Sequence, residues 1–229
     1  MVPAGMDAPP PNDARSVRRY YVVGEFYDWV TDPRALERIF HWGRSTVAKR
    51  LIRRLGRSQF ALDIGCGTGL ITRYIWSSRI VGIDINRWNL DRAKKRIPDA
   101  DFVQCDVEHL PLRNGLADFV VCTEVVEHLY LPARALGEIA RVMRPNGTFI
   151  GSVPSSNPLW RFRNVLSVTH PQSEPFHNNF SKYQLKVLLS RFFADTNLFY
   201  ENLLMNLFFM ARGPESNRIA GQTSKLAGC

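Results

Sequence analysis

The chain has 229 residues, a length suited to one large domain, and its 45 % hydrophobic and 22 % charged residues permit a packed core and exclude wholesale disorder. It lacks an apolar run of about 18 residues or more, so no transmembrane helix is expected, and its start, "MVPAGMDAPPPNDAR", has no apolar centre of the kind a secretory leader needs. The net charge of +9 is concentrated in residues 15–57, where eleven Lys/Arg face four Asp/Glu, an excess open to nucleic acid, anionic lipid headgroups, an acidic substrate or plain solvent.

In chain order, residues 1–14 read as a flexible arm rich in Pro, Ala and Asp. The aromatic-rich stretch 16–30 and the stretch 33–55 read as helices. In the second, Val47, Leu51 and Leu55 recur at four-residue spacing while Arg50, Arg53, Arg54 and Arg57 lie on another side, giving an apolar stripe for packing and an arginine face for solvent or a partner. After residue 57 the pattern alternates. "QFALDIG" reads as a strand, "LITRYIWSS" as a helix, "RIVGIDI" as a strand, "RWNLDRAKKRI" as a helix, and "DFVQCD" and "ADFVVCT" as strands. "ARALGEIARVM" is a helix with Leu136, Ile139, Ala140 and Met143 on one face, "GTFIGSVP" a strand and "SKYQLKVLLSRFF" a helix. "TNLFYEN" and "LMNLFFMAR" close the pattern as two neighbouring strands, an expected antiparallel hairpin at one edge, before a polar tail from Gly213. Alternating strands and helices predict a parallel α/β sheet covered on both faces. Cys66, Cys105, Cys122 and Cys229 are too widely spaced for a CxxC zinc site; they read as buried free thiols of a reducing compartment, and a cytoplasmic location is expected.

The stretch "LDIGCGTG", residues 62–69, follows the first strand and carries Gly65, Gly67 and Gly69 beside Cys66. Glycine allows backbone angles closed to other residues and lets a ligand approach the main chain. In open α/β sheets ligands sit beyond the carboxyl ends of the strands. The spacing is GxGxG, not the GxGxxG usual for dinucleotides. Asp84 ends the second strand, 21 residues after Asp63, where an acid can accept from both hydroxyls of a ribose. Asp106 ends the third strand and can accept from an exocyclic amino group. One glycine loop and two strand-end acids describe a pocket for an adenine nucleoside.

"LDIGCGTG", "VGIDIN", "FVQCDVEHLPL", "ADFVVCTEVVEHL" and "EIARVMRPNGTFIGSVPS" resemble, in the correct order, the successive motifs of class I S-adenosylmethionine-dependent methyltransferases. The resemblance runs from about residue 58 to 211. It implies a Rossmann-like α/β fold: a seven-stranded, mostly parallel sheet with helices on both faces and an antiparallel last strand. It implies a methyltransferase domain over 58–212, preceded by a helical lid over 15–57 and followed by a flexible tail, 213–229. It also implies that Asp63 lies near the cofactor's ammonium group, with Gly65, Cys66, Gly67 and Gly69 lining that side. Asp84 and Ile85 would hold the ribose, Asp106 and the main chain of Val107 the adenine, and Cys122 and Thr123 would flank the sulfur.

The cofactor's sulfonium makes its methyl group electrophilic, so the protein supplies alignment, exclusion of water and, for a hydroxyl acceptor, a base or a metal. Glu124-Val125-Val126-Glu127-His128 follows the fourth strand. On one helical turn, Glu124, Glu127 and His128 would share a face, a ligand set for Mg²⁺ or Mn²⁺, with His177 or His170 as a further ligand. Without a metal, Glu127 and His128 are the catalytic candidates. The ExxEH pattern resembles both ubiquinone-biosynthesis O-methyltransferases and small-RNA 2′-O-methyltransferases. Tyr20, Tyr21, Phe26, Tyr27 and Trp29 either pack an acceptor or pack helices, and the long connection 154–180 is a candidate acceptor loop. The leading expectation is methyl transfer to oxygen of a small or lipid-like acceptor. The alternative is an RNA methyltransferase contacting phosphates through basic residues 44–57, and a third class is a non-catalytic module of the same fold.

Overall fold

A computed structural model describes residues 14–23, 35–156, 178–201 and 204–215 of the chain. Strands β1 (Ser58–Ile64), β2 (Ser77–Asp84), β3 (Asp101–Gln104), β4 (Ala117–Thr123), β5 (Met143–Pro154), β6 (Phe193–Glu201) and β7 (Asn206–Pro214) form one seven-stranded sheet in the order β3-β2-β1-β4-β5-β7-β6. β7 runs antiparallel to both β5 and β6, and the remaining pairs are parallel. The sheet, with its edge hairpin, is the expected one. The strand order reverses between β1 and β4, which opens a crevice beyond their carboxyl ends.

Helices α1 (Ala14–Val23), α2 (Ala35–Leu55), α3 (Arg87–Arg96), α4 (Pro132–Val142) and α5 (Lys182–Leu189) accompany it. In β1 the last four residues, Ala61 to Ile64, are all buried, as expected of a strand covered on both faces. The larger core packs Leu62, Ile64 and Val120 against Leu136 and Ile139 of α4 and Leu185 of α5. On the opposite face Ala48, Leu51 and Ile52 of α2 meet Val121, Ile150 and Phe208. α5 starts with a full capping box, in which the Ser181 and Gln184 side chains each accept from the other's backbone N–H.

Two elements differ from expectation. The helix expected over 70–78 is a single 3₁₀ turn, Thr72–Tyr74. Its β-branched residues Ile71, Thr72 and Ile75 are poor helix formers, and the Thr72 hydroxyl is turned inward to donate to Asp63 at 2.6 Å. The glycine loop therefore presents backbone N–H groups without a full helix behind it. β5 begins at Met143 rather than Gly147, because the "RPNG" turn signal is absorbed as a register shift between β4 and β5. A Cβ on Gly147 would lie 2.9 Å from the Arg144 carbonyl oxygen, so the irregularity needs glycine. α1 is described only to Val23, and Phe26, Tyr27, Trp29, His170, His177, most of the 154–180 loop and Cys229 lie outside the described residues.

Candidate functional site

The glycine loop, the ends of β2, β3 and β4, and α1 meet at the carboxyl edge of the sheet. Gly65 has φ +66° and a Cβ there would come within 2.2 Å of the Val125 side chain, so the loop closes against the segment after β4. Gly67 has φ +52° with nothing within 4 Å of a Cβ position, so its outer side is open space bordered by backbone. That open cradle, next to buried acids, fits a nucleoside with a cationic end.

Asp63 is fully buried. Burial raises its pKa to about 7, with the Thr72 hydrogen bond opposing and the neighbouring Asp84 charge adding to the rise. Asp84 accepts from the N–H groups of Gly67 and Asn86, both at 2.8 Å, and from Asn89 Nδ2 at 3.4 Å. Burial raises its pKa too, against these hydrogen bonds. Asn86 caps α3 by accepting from Asn89 N–H. Asp84 is thus joined to the glycine loop and to α3 at once. The Ile85 carbonyl accepts from Gln104 Nε2 at 2.9 Å. Asp106 accepts from Glu108 N–H at 3.0 Å and pairs with Arg18 of α1 at 3.3 Å. The side chains of Val107 and Cys122 are buried in the larger core and turned away from the crevice. Cys66 N–H donates to the Ile83 carbonyl, and burial pushes both the Cys66 and Cys122 thiols up, away from thiolate.

Glu124, Glu127 and His128 do not converge as expected. Glu124 sits before the turn Val126–His128 with φ +56°. Its carboxylate accepts from Ser152 Oγ at 2.7 Å and Asn206 Nδ2 at 3.3 Å and pairs with Arg44 of α2 at 3.1 Å. Glu127 is fully buried, its Oε1 3.7 Å from His128 Nε2. Among the described residues no three of His, Cys, Asp and Glu are grouped so as to hold a metal ion. The left-handed backbone at Glu124 aims its carboxylate at α2 and β7, and this breaks the shared face that a regular helical turn would have made.

His128 has a partner that sequence spacing did not suggest: its Nδ1 lies 2.9 Å from the Tyr21 hydroxyl. The Tyr21 carbonyl accepts from Asn86 Nδ2 at 2.9 Å. α1 therefore crosses the crevice, tied to the β3 end through Arg18, to the β2 end through Asn86 and to the turn after β4 through His128. A groove of about 740 Å³ beside β3, lined by Phe60, Leu90, Phe102 and Leu112, contains none of these candidate residues.

Residues 62–151 match the model of a methyltransferase domain. A probable S-adenosylmethionine-dependent methyltransferase of Mycolicibacterium smegmatis is 33 % identical over 120 residues, covering 50 % of this chain and 46 % of that protein. A phthiotriol/phenolphthiotriol dimycocerosates methyltransferase of Mycobacterium tuberculosis is 36 % identical over 102 residues, 42 % of this chain and 37 % of that protein. The chain spans less than half the length of these curated relatives. Among solved structures, the magnesium protoporphyrin IX methyltransferase of Synechocystis with bound SAH superposes with a TM-score of 0.63 at 14 % identity, over 87 % of this chain and 100 % of that one, a likeness of fold.

Proposed function

From the methyltransferase-domain match over residues 62–151 and the methyltransferase relatives, we propose that the chain is a class I S-adenosylmethionine-dependent methyltransferase that transfers a methyl group from S-adenosylmethionine to an oxygen of a small or lipid-like acceptor. The observation that carries this reading is the convergence of the open glycine loop, the buried Asp84 carboxylate and the Tyr21–His128 pair at one edge of the sheet. Residues 58–212 form the catalytic domain and 15–57 its lid. Asp84 and the Ile85 main chain hold the ribose, and Asp106 with the Val107 main chain holds the adenine. Gly65, Cys66, Gly67 and Gly69 line the methionine end, where Asp63 faces the ammonium group. Thr123 and the Cys122 main chain border the sulfur.

When bound, the cofactor supplies a methyl group made electrophilic by its sulfonium. The protein supplies the rest. Attack by a hydroxyl requires that its proton go somewhere. That proton passes through the Tyr21 oxygen to Nδ1 of His128. The buried Glu127 carboxylate, 3.7 Å from Nε2, stabilises the imidazolium that forms. α1, lying across the crevice, excludes water and brings the Tyr21 oxygen to the acceptor side. An oxygen acceptor is favoured because this pair gives a displaced proton a route. A lipid-like acceptor is favoured by the mycobacterial relative, whose name is that of a lipid methyltransferase.

The test is transfer of labelled methyl from S-adenosylmethionine into quinols, a lipid extract and total RNA. RNA is included because Arg53, Arg54 and Arg57 are exposed. Label in an organic-soluble product supports the proposal; label in RNA, or none in any pool, counts against it.

A further inference from the structure

Single exposed apolar side chains are ordinary on a protein surface, whereas a concentration of them at one end marks an interaction surface. Of the eleven large apolar residues exposed among the described residues, Val22, Val23, Trp42, Tyr130, Leu131, Tyr183 and Leu204 lie within five residues of a group at the crevice, as does Val103, which stands before Gln104 and Asp106. Val22 and Val23 follow Tyr21. Tyr130 and Leu131 follow His128. Trp42 stands two residues before Arg44, the partner of Glu124. Leu204 is in the turn before Asn206, whose side chain reaches the same carboxylate. Tyr183 is the second residue of α5, five residues after Asn178, which donates to the Glu127 and Leu129 carbonyls. Val23 and Trp42 are 69 % and 65 % exposed.

On the described part of α1 charge is one-sided. α1 carries Arg15, Arg18 and Arg19 and no acid, and all three arginines are exposed. Among the described residues the acids nearby are engaged: Asp106 by Arg18, Glu124 by Arg44, Glu201 by Arg50 and Glu108 by the Leu131 N–H, while Glu127 is buried. Arginines around exposed valine, leucine, tyrosine and tryptophan suit an interface where apolar side chains enter acyl chains and cations meet anionic headgroups. Stacking of single-stranded nucleic acid would need a row of aromatics along a basic groove, and the exposed apolar residues of α1 are valines.

We infer that the crevice end of the molecule docks on an anionic lipid surface through Val22, Val23, Trp42, Tyr130, Leu131 and the α1 arginines, so that a lipid-like acceptor enters from the lipid phase. This rests on the acceptor class proposed above, yet its test uses no methyl transfer, so the two fail separately. The full chain is sedimented with vesicles of phosphatidylcholine alone and of phosphatidylcholine mixed with phosphatidylglycerol. S-adenosylmethionine affinity and melting temperature are measured for every variant, so that a folding defect is recognised.

The native chain is expected to favour the mixed vesicles. The double substitution V23E/W42E is expected to weaken that binding by about tenfold or more. R15E/R19E, which leaves every apolar residue in place, should remove the preference for anionic vesicles, and W76E, away from the crevice, should change nothing. A native chain that stays in solution, a V23E/W42E variant that sediments like it, or W76E abolishing binding would overturn the inference. So would binding of total RNA lost through the same V23E/W42E change, since the rim would then be a nucleic-acid surface.

Discussion

Replacing Asp63 with asparagine isolates what it costs to hold a carboxyl group inside the sheet. Asparagine keeps an oxygen for the Thr72 hydroxyl and removes only the titration. Burial raises the pKa of folded Asp63 to about 7, from 3.8 for a solvated aspartate. Between those limits the native chain keeps a proton that the unfolded chain has released, so stability falls as pH rises through the window and levels off above it. At about 1.4 kcal/mol per unit, the full rise corresponds to roughly 4 kcal/mol. In a chain of this size each kcal/mol moves Tm by about 2–4 °C. Calorimetry of the cofactor-free proteins should therefore show Asp63→Asn gaining roughly 10 °C over the native chain between about pH 4 and about pH 8. Asp84, also raised by burial, is present in both proteins and cancels in the difference. S-adenosylmethionine, by placing an ammonium beside Asp63, should bind the native chain more tightly as pH rises toward about 7 and the variant with a flatter profile. Parallel melting curves for the two proteins across this range would refute the reasoning.

Asp84→Ala should weaken S-adenosylmethionine binding by roughly 2 kcal/mol or more, since hydrogen bonds to a charged group contribute about 1.5–3 kcal/mol; titration calorimetry reads this directly, and unchanged affinity removes the ribose assignment. His128→Ala should lower kcat by about 10²-fold or more while leaving cofactor affinity near the native value, and Tyr21→Phe should lower kcat in the same sense, by less. Equal kcat in both variants would take the proton route away from this pair. Transfer should continue in the presence of a chelator, because the Glu124 carboxylate is already paired with Arg44; loss of activity with recovery on adding Mn²⁺ would restore a metal to the mechanism.

The strands were legible because β-branched and apolar runs such as "FALDI" and "IVGID" are bounded by turn residues, and buried parallel strands need such runs. The Asp84 position was legible for the same reason: it ends a clear strand, and the Asn86 cap after it marks the next helix. The helix over 70–78 was misread because a short apolar run looks alike in several conformations, and the contact that decides it, Thr72 to Asp63, is tertiary. Glu124 was misread because nothing local announces a left-handed backbone at a non-glycine residue. The pairs Tyr21–His128, Arg18–Asp106 and Arg44–Glu124 each join an N-terminal helix to a distant strand end. No spacing rule relates residues so far apart, and these contacts emerge only when the chain is folded.

The most direct measurement is a crystal structure of the full chain with S-adenosylhomocysteine. The ribose hydroxyls are expected within hydrogen-bonding distance of the Asp84 carboxylate, with the adenine beside Asp106 and the amino-acid end over Gly65 and Gly67. A ligand bound elsewhere on the molecule, or an Asp84 carboxylate that stays closed on Gly67 and Asn86 with no ligand against it, would contradict the account.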